Sequence, residues 1–165
     1  MGMSWEERLE KGGIGERIVR GWLEDMNYVV YEPVTVGVPH PFDKICSTPD
    51  KRTIFISEVK TKASRDKYPD IGVNERNIQE YLYISNKHHL SVRLFFVDPR
   101  RREVYGNLLS VLNESYVDVV NNREIAYPLI LNGIRYFSLK KMKFCKHLSP
   151  SEVAEIISVG KNQEN

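Results

Sequence analysis

The sequence predicts one α/β domain, and three features of its first hundred residues lead to that prediction. A capping box at Ser4 opens a helix that reaches about Met26, with an expected break at Gly12-Gly13. Alternating apolar residues predict a strand over 28–36. A short apolar run over 92–97 predicts a fully buried strand. This succession of helix, strands and buried strand is that of an α/β protein.

A hairpin and a second helix are predicted between these segments. Strands over 42–46 and 52–60 flank a turn at 48–51, where proline and aspartate suit the two central positions. Residues 63–73 are polar, contain proline and glycine, and are expected to form a loop. An asparagine N-cap then opens a helix over 74–87.

The C-terminal part carries two further signals. Asn132-Gly133 between apolar segments predicts a hairpin with a type I′ turn. Ser149 opens a second capping box, with Pro150 in the first turn of a short helix. We therefore expect a core over 1–102, an extension packed on the same domain over 103–160, and a disordered tail over 161–165.

Composition is that of an ordinary globular protein. A chain of 165 residues suits one domain rather than two. The net charge of +2 neither favours nor excludes a nucleic-acid partner. Two cysteines give no disulfide framework and suit a reducing compartment, and there is no signal peptide or apolar run of 18 residues. These features predict a cytoplasmic protein.

The hairpin is predicted to bring charged side chains to one face of the sheet. Residues two apart in a strand point to the same side, so Glu58 and Lys60 project together while Val59 turns to the core. The predicted turn pairs Asp43 with Ile56, which places Asp43 diagonally to Glu58 at about 7–8 Å between Cα atoms. Both carboxylates then reach one divalent cation.

The same residues can also be explained without a functional site. In most strands the two charged residues of a Glu-x-Lys segment are simply a solvent-exposed ion pair, and Glu58 and Lys60 could be such a pair. Here Ile54 and Ile56 are expected on the same face as the charges, which favours a site over a solvated surface.

The order of Glu16, Asp43 and Glu58-Val59-Lys60 resembles the PD-(D/E)XK nuclease superfamily. The resemblance covers about residues 13–98 and is most specific at the hairpin. It implies a restriction-endonuclease-like core of a helix, a three-stranded meander, a helix and a fourth strand, with helices flanking a mixed sheet. The C-terminal hairpin and helix extend that core. Phe42 stands where the superfamily name has proline.

Two groups within the superfamily show closer similarity. The Gly-Glu helix and the Glu-Val-Lys-Thr strand are similar to those of Holliday-junction-resolvase-like proteins. Gln79 and Tyr83 are similar to the Gln-x-x-x-Tyr element of recombination-type exonucleases. The first similarity implies a homodimer that cuts branched DNA, whereas the second implies activity on DNA ends or single strands.

The resemblance implies a Mg²⁺ site, at which Mn²⁺ substitutes. Hard divalent ions prefer oxygen ligands and activate water for phosphodiester hydrolysis. The implied metal ligands are Asp43, Glu58, the Val59 carbonyl and Glu16. Lys60 is expected to position the attacking water and to stabilise charge on the phosphate, and Gln79 and Tyr83 complete the catalytic set. Basic side chains expected to contact the DNA backbone are Lys62, Lys67, Arg76, Arg100, Arg101, Arg102, Lys140, Lys141 and Lys143.

The sequence thus predicts a Mg²⁺-dependent deoxyribonuclease that acts in recombination, repair, or phage and restriction processes. Endonuclease and exonuclease activity both remain open, as do branched, single-stranded and end-containing substrates. The alternatives are a catalytically inactive nucleic-acid-binding protein with the nuclease fold, and an interaction protein whose C-terminal hairpin is the working surface. An acid pair that repels phosphate argues against a pure binding module.

Overall fold

The computed structural model describes residues 2–33 and 42–159. Positions 34–36 of the predicted first strand and the predicted tail at 161–165 lie outside these residues. Helix α1 spans Trp5–Asp25, and its N-terminus has the predicted capping box between Ser4 and Glu7. The expected break at Gly12-Gly13 is wrong, because the helix runs through both glycines without interruption.

Strands make up most of the remaining chain. In chain order the described strands are β1 (Val29–Tyr31), β2 (Lys44–Ser47), β3 (Ile54–Thr61), β4 (Asp70–Asn74), β5 (Ser91–Asp98), β6 (Glu103–Leu108), β7 (Tyr116–Val120), β8 (Arg123–Tyr127), β9 (Leu129–Leu131), β10 (Ile134–Ser138) and β11 (Lys143–His147). The other helices are α2 (Glu75–His88), α3 (Leu109–Leu112), a 3₁₀ turn (Leu139–Lys141) and α4 (Pro150–Ser158).

The central sheet has six strands in the order β1-β2-β3-β5-β6-β11. The first three form an antiparallel meander, and β3 then pairs in parallel with β5. A parallel connection needs a crossover, which α2 supplies. The predicted mixed α/β fold with a helix, a meander, a second helix and a fourth strand is therefore confirmed.

Residues beyond 102 contribute more to this sheet than the sequence predicted. Both β6 and β11 are antiparallel additions to it, and neither was predicted. The predicted Asn132-Gly133 hairpin is present between β9 and β10, with both residues at positive φ as a type I′ turn requires. The capping box at Ser149 opens α4 as predicted.

The expected loop over 63–73 is wrong at its C-terminal end. Residues 70–74 form β4, which pairs with β10, with Ile71 opposite Phe137 and Val73 opposite Arg135. Both Ile71 and Phe137 are fully buried. The local polar composition was therefore overridden by pairing with a strand sixty residues away.

Two apolar clusters cover the two faces of the central sheet. Helices α1 and α4 pack on one face, over Phe95 and Val97 of β5. Helix α2 and the smaller β4-β10-β9 sheet cover the other face, over Leu94 and Phe96. Ile56 of β3 belongs to this second face, which also carries Glu58. In the described part of the chain, no helix is long and apolar enough to cross a membrane.

Candidate active site

Asp43 and Glu58 face each other across β2 and β3. Lys44 pairs with Ser57 and Ile45 with Ile56, so the register places Asp43 opposite Glu58. The predicted pairing of Asp43 with Ile56 is wrong by two residues, because the connecting loop spans 48–53. A shift of two preserves the face to which each side chain points. The two carboxylates therefore share one face, as the sequence predicted.

Two hydrogen bonds hold the carboxylates in this arrangement. The Asp43 amide donates to Glu58 Oε2 at 3.1 Å, and the Val59 amide donates to Asp43 Oδ2 at 2.8 Å. The second oxygen of Asp43, Oδ1, takes part in neither bond. Each acid is thus oriented by the backbone next to the other.

Glu58 Oε1 accepts from two further groups. Lys60 Nζ lies 2.6 Å from it, and the Tyr81 hydroxyl donates a short hydrogen bond to the same oxygen. Lys60 Nζ also lies 5.6 Å from the centre of the Tyr81 ring. Glu58 and Tyr81 are buried, whereas the Lys60 side chain is 26 % exposed. The ammonium is therefore the most accessible member of this group.

Burial and like charge alter the acidity of Asp43. Its pKa is raised to about 7, chiefly by desolvation and next by the negative charge of Glu58, while the hydrogen bond from the Val59 amide opposes both. Glu16 adds a smaller increase and Lys60 a smaller decrease. Near neutral pH and without a bound cation, the Asp43 carboxyl is therefore only partly ionised.

Glu16 reaches the edge of the site because α1 packs closely on β3. A Cβ at Gly15 would lie 1.8 Å from Thr61 Oγ1, so only glycine permits this approach. Glu16 Oε2 lies 3.3 Å from Lys44 Nζ, which also lies 3.4 Å from Glu32 Oε1. Glu16 is thus near the Asp43 carboxylate but is paired with Lys44.

One solved structure similar to this chain is that of Hjc, a Holliday junction resolvase from the archaeal hyperthermophile Archaeoglobus fulgidus. The TM-score is 0.52 at 14% sequence identity, and the match covers 87% of this chain and 99% of the resolvase. The two chains share a restriction-endonuclease-like fold. No protein-family model and no curated protein sequence matches the chain.

Gln79 and Tyr83 are not brought to the acid pair of this PD-(D/E)XK fold. Each is two residues from Tyr81 on α2, about 200° around the helix axis. Both side chains therefore point away from the side of the helix that carries Tyr81. The Gln79 amide donates to Glu75 at 2.7 Å, and Tyr83 is 62 % exposed with Lys87 over its ring. Tyr81 contacts Glu58 instead. Tyr81 lies on the buried face of α2 with Ile78 and Ile84, and a tyrosine at such a position is a signal for a site residue because a buried hydroxyl requires a partner.

The candidate ligand side chains of the site are carboxylates, the type of ligand that a hard divalent ion prefers, but fewer than three of those described are arranged around one point. Within residues 2–33 and 42–159, no group of three or more His, Cys, Asp or Glu side chains has metal-binding geometry. Asp43 and Glu58 form a carboxylate pair whose mutual repulsion raises the pKa of Asp43. A dication removes that repulsion, so the pair fits such an ion. Glu16 becomes a third oxygen donor only after leaving Lys44.

The predicted DNA-contacting residues fall into two groups. Several are engaged within the protein: Arg100 with Asp66 and Ser64, Arg101 with Glu103, Lys140 with Asp118, and Lys141 with the Val111 and Glu114 carbonyls. The others are exposed, except for half-buried Lys62: Lys62, Lys67, Arg76, Arg102 and Lys143. Lys62 Nζ donates to the neutral Gly72 carbonyl, so Lys62 and the exposed members have no acidic partner among the described residues that offsets their charge.

The turn after β5 lies at the same end of the sheet as Lys60. Lys60 pairs with Phe96, and the Lys62 amide donates to the Val97 carbonyl, next to the end of β5. Lys143 lies further from this end, opposite Gly106. Lys146, by contrast, lies opposite Val104, close to the 100–102 turn.

Proposed function

We propose that this chain is a divalent-metal-dependent deoxyribonuclease that acts on branched DNA. The observation that supports the proposal is the placement of Asp43, Glu58 and Lys60 on one face at the open end of β3. The carboxylates are oriented by backbone amides, and the Lys60 side chain is 26 % exposed. The similar resolvase supports the class of substrate.

The proposed ligands of the ion are Asp43, Glu58 and the Val59 carbonyl, with Glu16 as a supplementary donor. Mg²⁺, or Mn²⁺ in its place, supplies an acidified water and neutralises charge on the phosphate when bound. Asp43 must lose its proton to act, and the raised pKa makes that loss depend on pH near neutrality.

Lys60 and Tyr81 have supporting roles in this proposal. Lys60 Nζ is held by Glu58 beside the acid pair, where it donates to the attacking water or to a phosphate oxygen as negative charge develops. Tyr81 is a positioning residue, because its hydroxyl keeps Glu58 in place from the buried side. Gln79 and Tyr83 have no part in this scheme.

A homodimer follows from the substrate. Resolving a four-way junction needs cuts in two strands, and the acid pair of Asp43 and Glu58 gives each chain one proposed site. Two copies related by two-fold symmetry present two sites to the two-fold symmetric junction.

The proposal is tested by incubating purified protein with a labelled four-way junction, a matched linear duplex and a supercoiled plasmid. With Mg²⁺ or Mn²⁺ we expect cleavage, fastest on the junction, and none in excess EDTA. Cleavage in EDTA would overturn the metal-dependent mechanism. Metal-independent binding without any cleavage would instead favour a catalytically inactive DNA-binding protein.

A further inference from the structure

The loop that follows β3 forms one wall of a groove next to the proposed active site. The groove has a volume of about 560 Å³, which is large enough for a small ligand. Its lining includes Lys62, Arg65, Lys67, Tyr68, Arg100 and Tyr136. Lys62 lies two residues beyond Lys60 and points to the same side of the sheet, about 7 Å further along the chain. The groove therefore begins where the catalytic strand ends.

Arg65 brings two aromatic rings together in this groove. Its guanidinium lies 4.4 Å from the centre of the Tyr68 ring and 3.9 Å from that of Tyr136. Arg65 Nε donates to Asp70 Oδ1 at 2.6 Å, and the Tyr127 hydroxyl donates to Asp70 Oδ2 at 2.8 Å. Because Asp70 is fully buried, it fixes the guanidinium and so the rings that contact it.

A second buried acid fixes the base of the same loop. Asp98 Oδ2 accepts from the Ser64 amide at 2.9 Å and from the Tyr105 hydroxyl at 2.8 Å. Its other oxygen accepts from the Arg100 and Arg101 amides at 3.0 and 3.1 Å. The loop and the turn after β5 are thereby tied together, and the groove between them is preformed.

The charge of the groove favours an anion. Asp70 balances Arg65, and Asp66 pairs with Arg100. Lys67 is exposed, and Lys62 Nζ donates to the neutral Gly72 carbonyl at 2.7 Å. These two lysines retain a net positive charge beside an aromatic surface, and Tyr68 is 40 % exposed.

Tyr68 also borders a second depression of about 800 Å³. Arg65, Lys67 and Tyr68 line both depressions, and residues of the β7-β8 hairpin line only the second. The exposed ring thus lies at the boundary between two spaces. An extended ligand that continues from the groove into the second depression therefore passes beside the Tyr68 ring.

We propose that this groove holds an unpaired DNA segment adjacent to the scissile phosphate, with a base stacked on Tyr68 and phosphates at Lys62 and Lys67. The inference rests on the proposed function, of which it specifies the substrate structure. Aromatic side chains between cations are the usual means of holding single strands, because every unpaired base has an accessible π-face. In a duplex both faces of a base are covered by its neighbours, so the ring recognises only unpaired nucleotides.

The test measures binding and stacking without cleavage. Wild type, Tyr68→Ala and Tyr68→Phe are titrated in EDTA with a forked duplex that carries 2-aminopurine in its single-stranded arm, and with a blunt duplex of the same length. We expect wild type to bind the fork more tightly and to quench 2-aminopurine. Tyr68→Ala should weaken fork binding about 5- to 150-fold and abolish quenching, while blunt-duplex binding stays unchanged.

Tyr68→Phe provides the matched control. It keeps the ring and loses only the hydroxyl, so both quenching and fork affinity should be retained. Equal weakening of fork and blunt-duplex binding by Tyr68→Ala would overturn the stacking role, as would unaltered quenching. Thermal unfolding of each variant shows whether it is folded, and the exposed position of Tyr68 predicts that it is.

Failure of this inference is distinguishable from failure of the proposed function. If Tyr68→Ala binds forks as wild type does while wild type cleaves DNA with Mg²⁺, the groove is not the site of unpaired DNA and the nuclease proposal stands. If wild type cleaves no DNA but quenches 2-aminopurine through Tyr68, the nuclease proposal is lost and the groove is supported.

Discussion

Tyr81 donates a hydrogen bond to Glu58 from the buried face of α2, and no other described helix supplies a side-chain contact to that carboxylate. This contact makes Tyr81, rather than the exposed Tyr83, the tyrosine that supports the site. Loss of a partner that orients a ligating carboxylate reduces activity about 10- to 100-fold. We therefore expect Tyr81→Phe to lower the cleavage rate by this factor, measured in single-turnover assays with Mg²⁺.

Tyr83→Phe is the matched control for that prediction, because it removes a hydroxyl from the same helix in a 62 % exposed residue. Its cleavage rate should equal that of wild type. Equal losses in both variants would show that the Tyr81 hydroxyl has no specific role at Glu58.

The close approach of α1 to β3 predicts opposite effects of two glycine substitutions. Gly15→Ala places a methyl group 1.8 Å from Thr61 Oγ1, so α1 must move away from the sheet and carry Glu16 with it. We expect a loss of stability of about 1–3 kcal/mol from such overpacking. At Gly13, by contrast, an added Cβ meets no atom within 4 Å.

Gly13→Ala should therefore stabilise the protein, by about 0.5–1 kcal/mol, since alanine is the better helix former. Urea unfolding of both variants measures the two free energies. A Gly15→Ala protein as stable as Gly13→Ala would contradict the packing described for this helix.

The carboxylate pair could be predicted from sequence because it depends on parity alone. The predicted hairpin register was wrong by two residues, yet Asp43 and Glu58 stayed on one face, since side chains alternate with period two. The expectation that Ile54 is buried on this face is wrong, because Ile54 is 52 % exposed near the end of the hairpin. One apolar neighbour, Ile56, was enough for the conclusion.

Features that depend on distant pairing were not predictable. Strand β4 contains Asp70 and Gly72, which favour a loop locally, and forms only because β10 pairs with it. Asp98 follows the predicted buried strand, and no local signal indicates that it is itself buried and accepts four hydrogen bonds, three from the loop and turn and one from Tyr105. Such roles belong to contacts between segments far apart in sequence.

The raised pKa of Asp43 predicts how stability depends on pH in the absence of metal. The folded chain binds this proton more tightly than the unfolded chain, since the folded pKa is about 7 against an ordinary value of 3.8. Its contribution to stability is present below pH 3.8 and is lost as pH rises through 7. Asp43→Asn, which cannot ionise, should therefore gain stability over wild type between pH 5 and pH 8.

Urea unfolding in EDTA at pH 5 and pH 8 measures this gain. Asp50→Asn is the control, because hydrogen bonds from Thr48 and Arg52 lower the pKa of Asp50 and it stays ionised across that range. A gain for Asp43→Asn that is the same at both pH values would contradict the raised pKa.

Salt dependence distinguishes lysines that contact DNA from those engaged within the protein. Lys67 is exposed in the groove, whereas Lys141 Nζ donates to the Val111 and Glu114 carbonyls at 2.9 and 2.8 Å. Lys67→Ala should reduce the slope of log affinity against log salt by about 0.7 on the single-stranded arm of a fork, the value for one lost phosphate contact. Lys141→Ala should leave it unchanged. Anisotropy titrations in the presence of Ca²⁺, at salt concentrations from about 50 to 200 mM, give both slopes. The reverse pattern would contradict the assignment.

The central claim is that Asp43 and Glu58 hold the ion while Lys60 acts on the substrate. Calorimetric Mn²⁺ titration, with cleavage measured on the same samples, tests it most directly. We predict that Asp43→Asn and Glu58→Gln lose both Mn²⁺ binding and cleavage, whereas Lys60→Ala loses cleavage and still binds Mn²⁺, because a protonated lysine is not a ligand. Wild-type Mn²⁺ binding in both carboxylate variants would contradict the account.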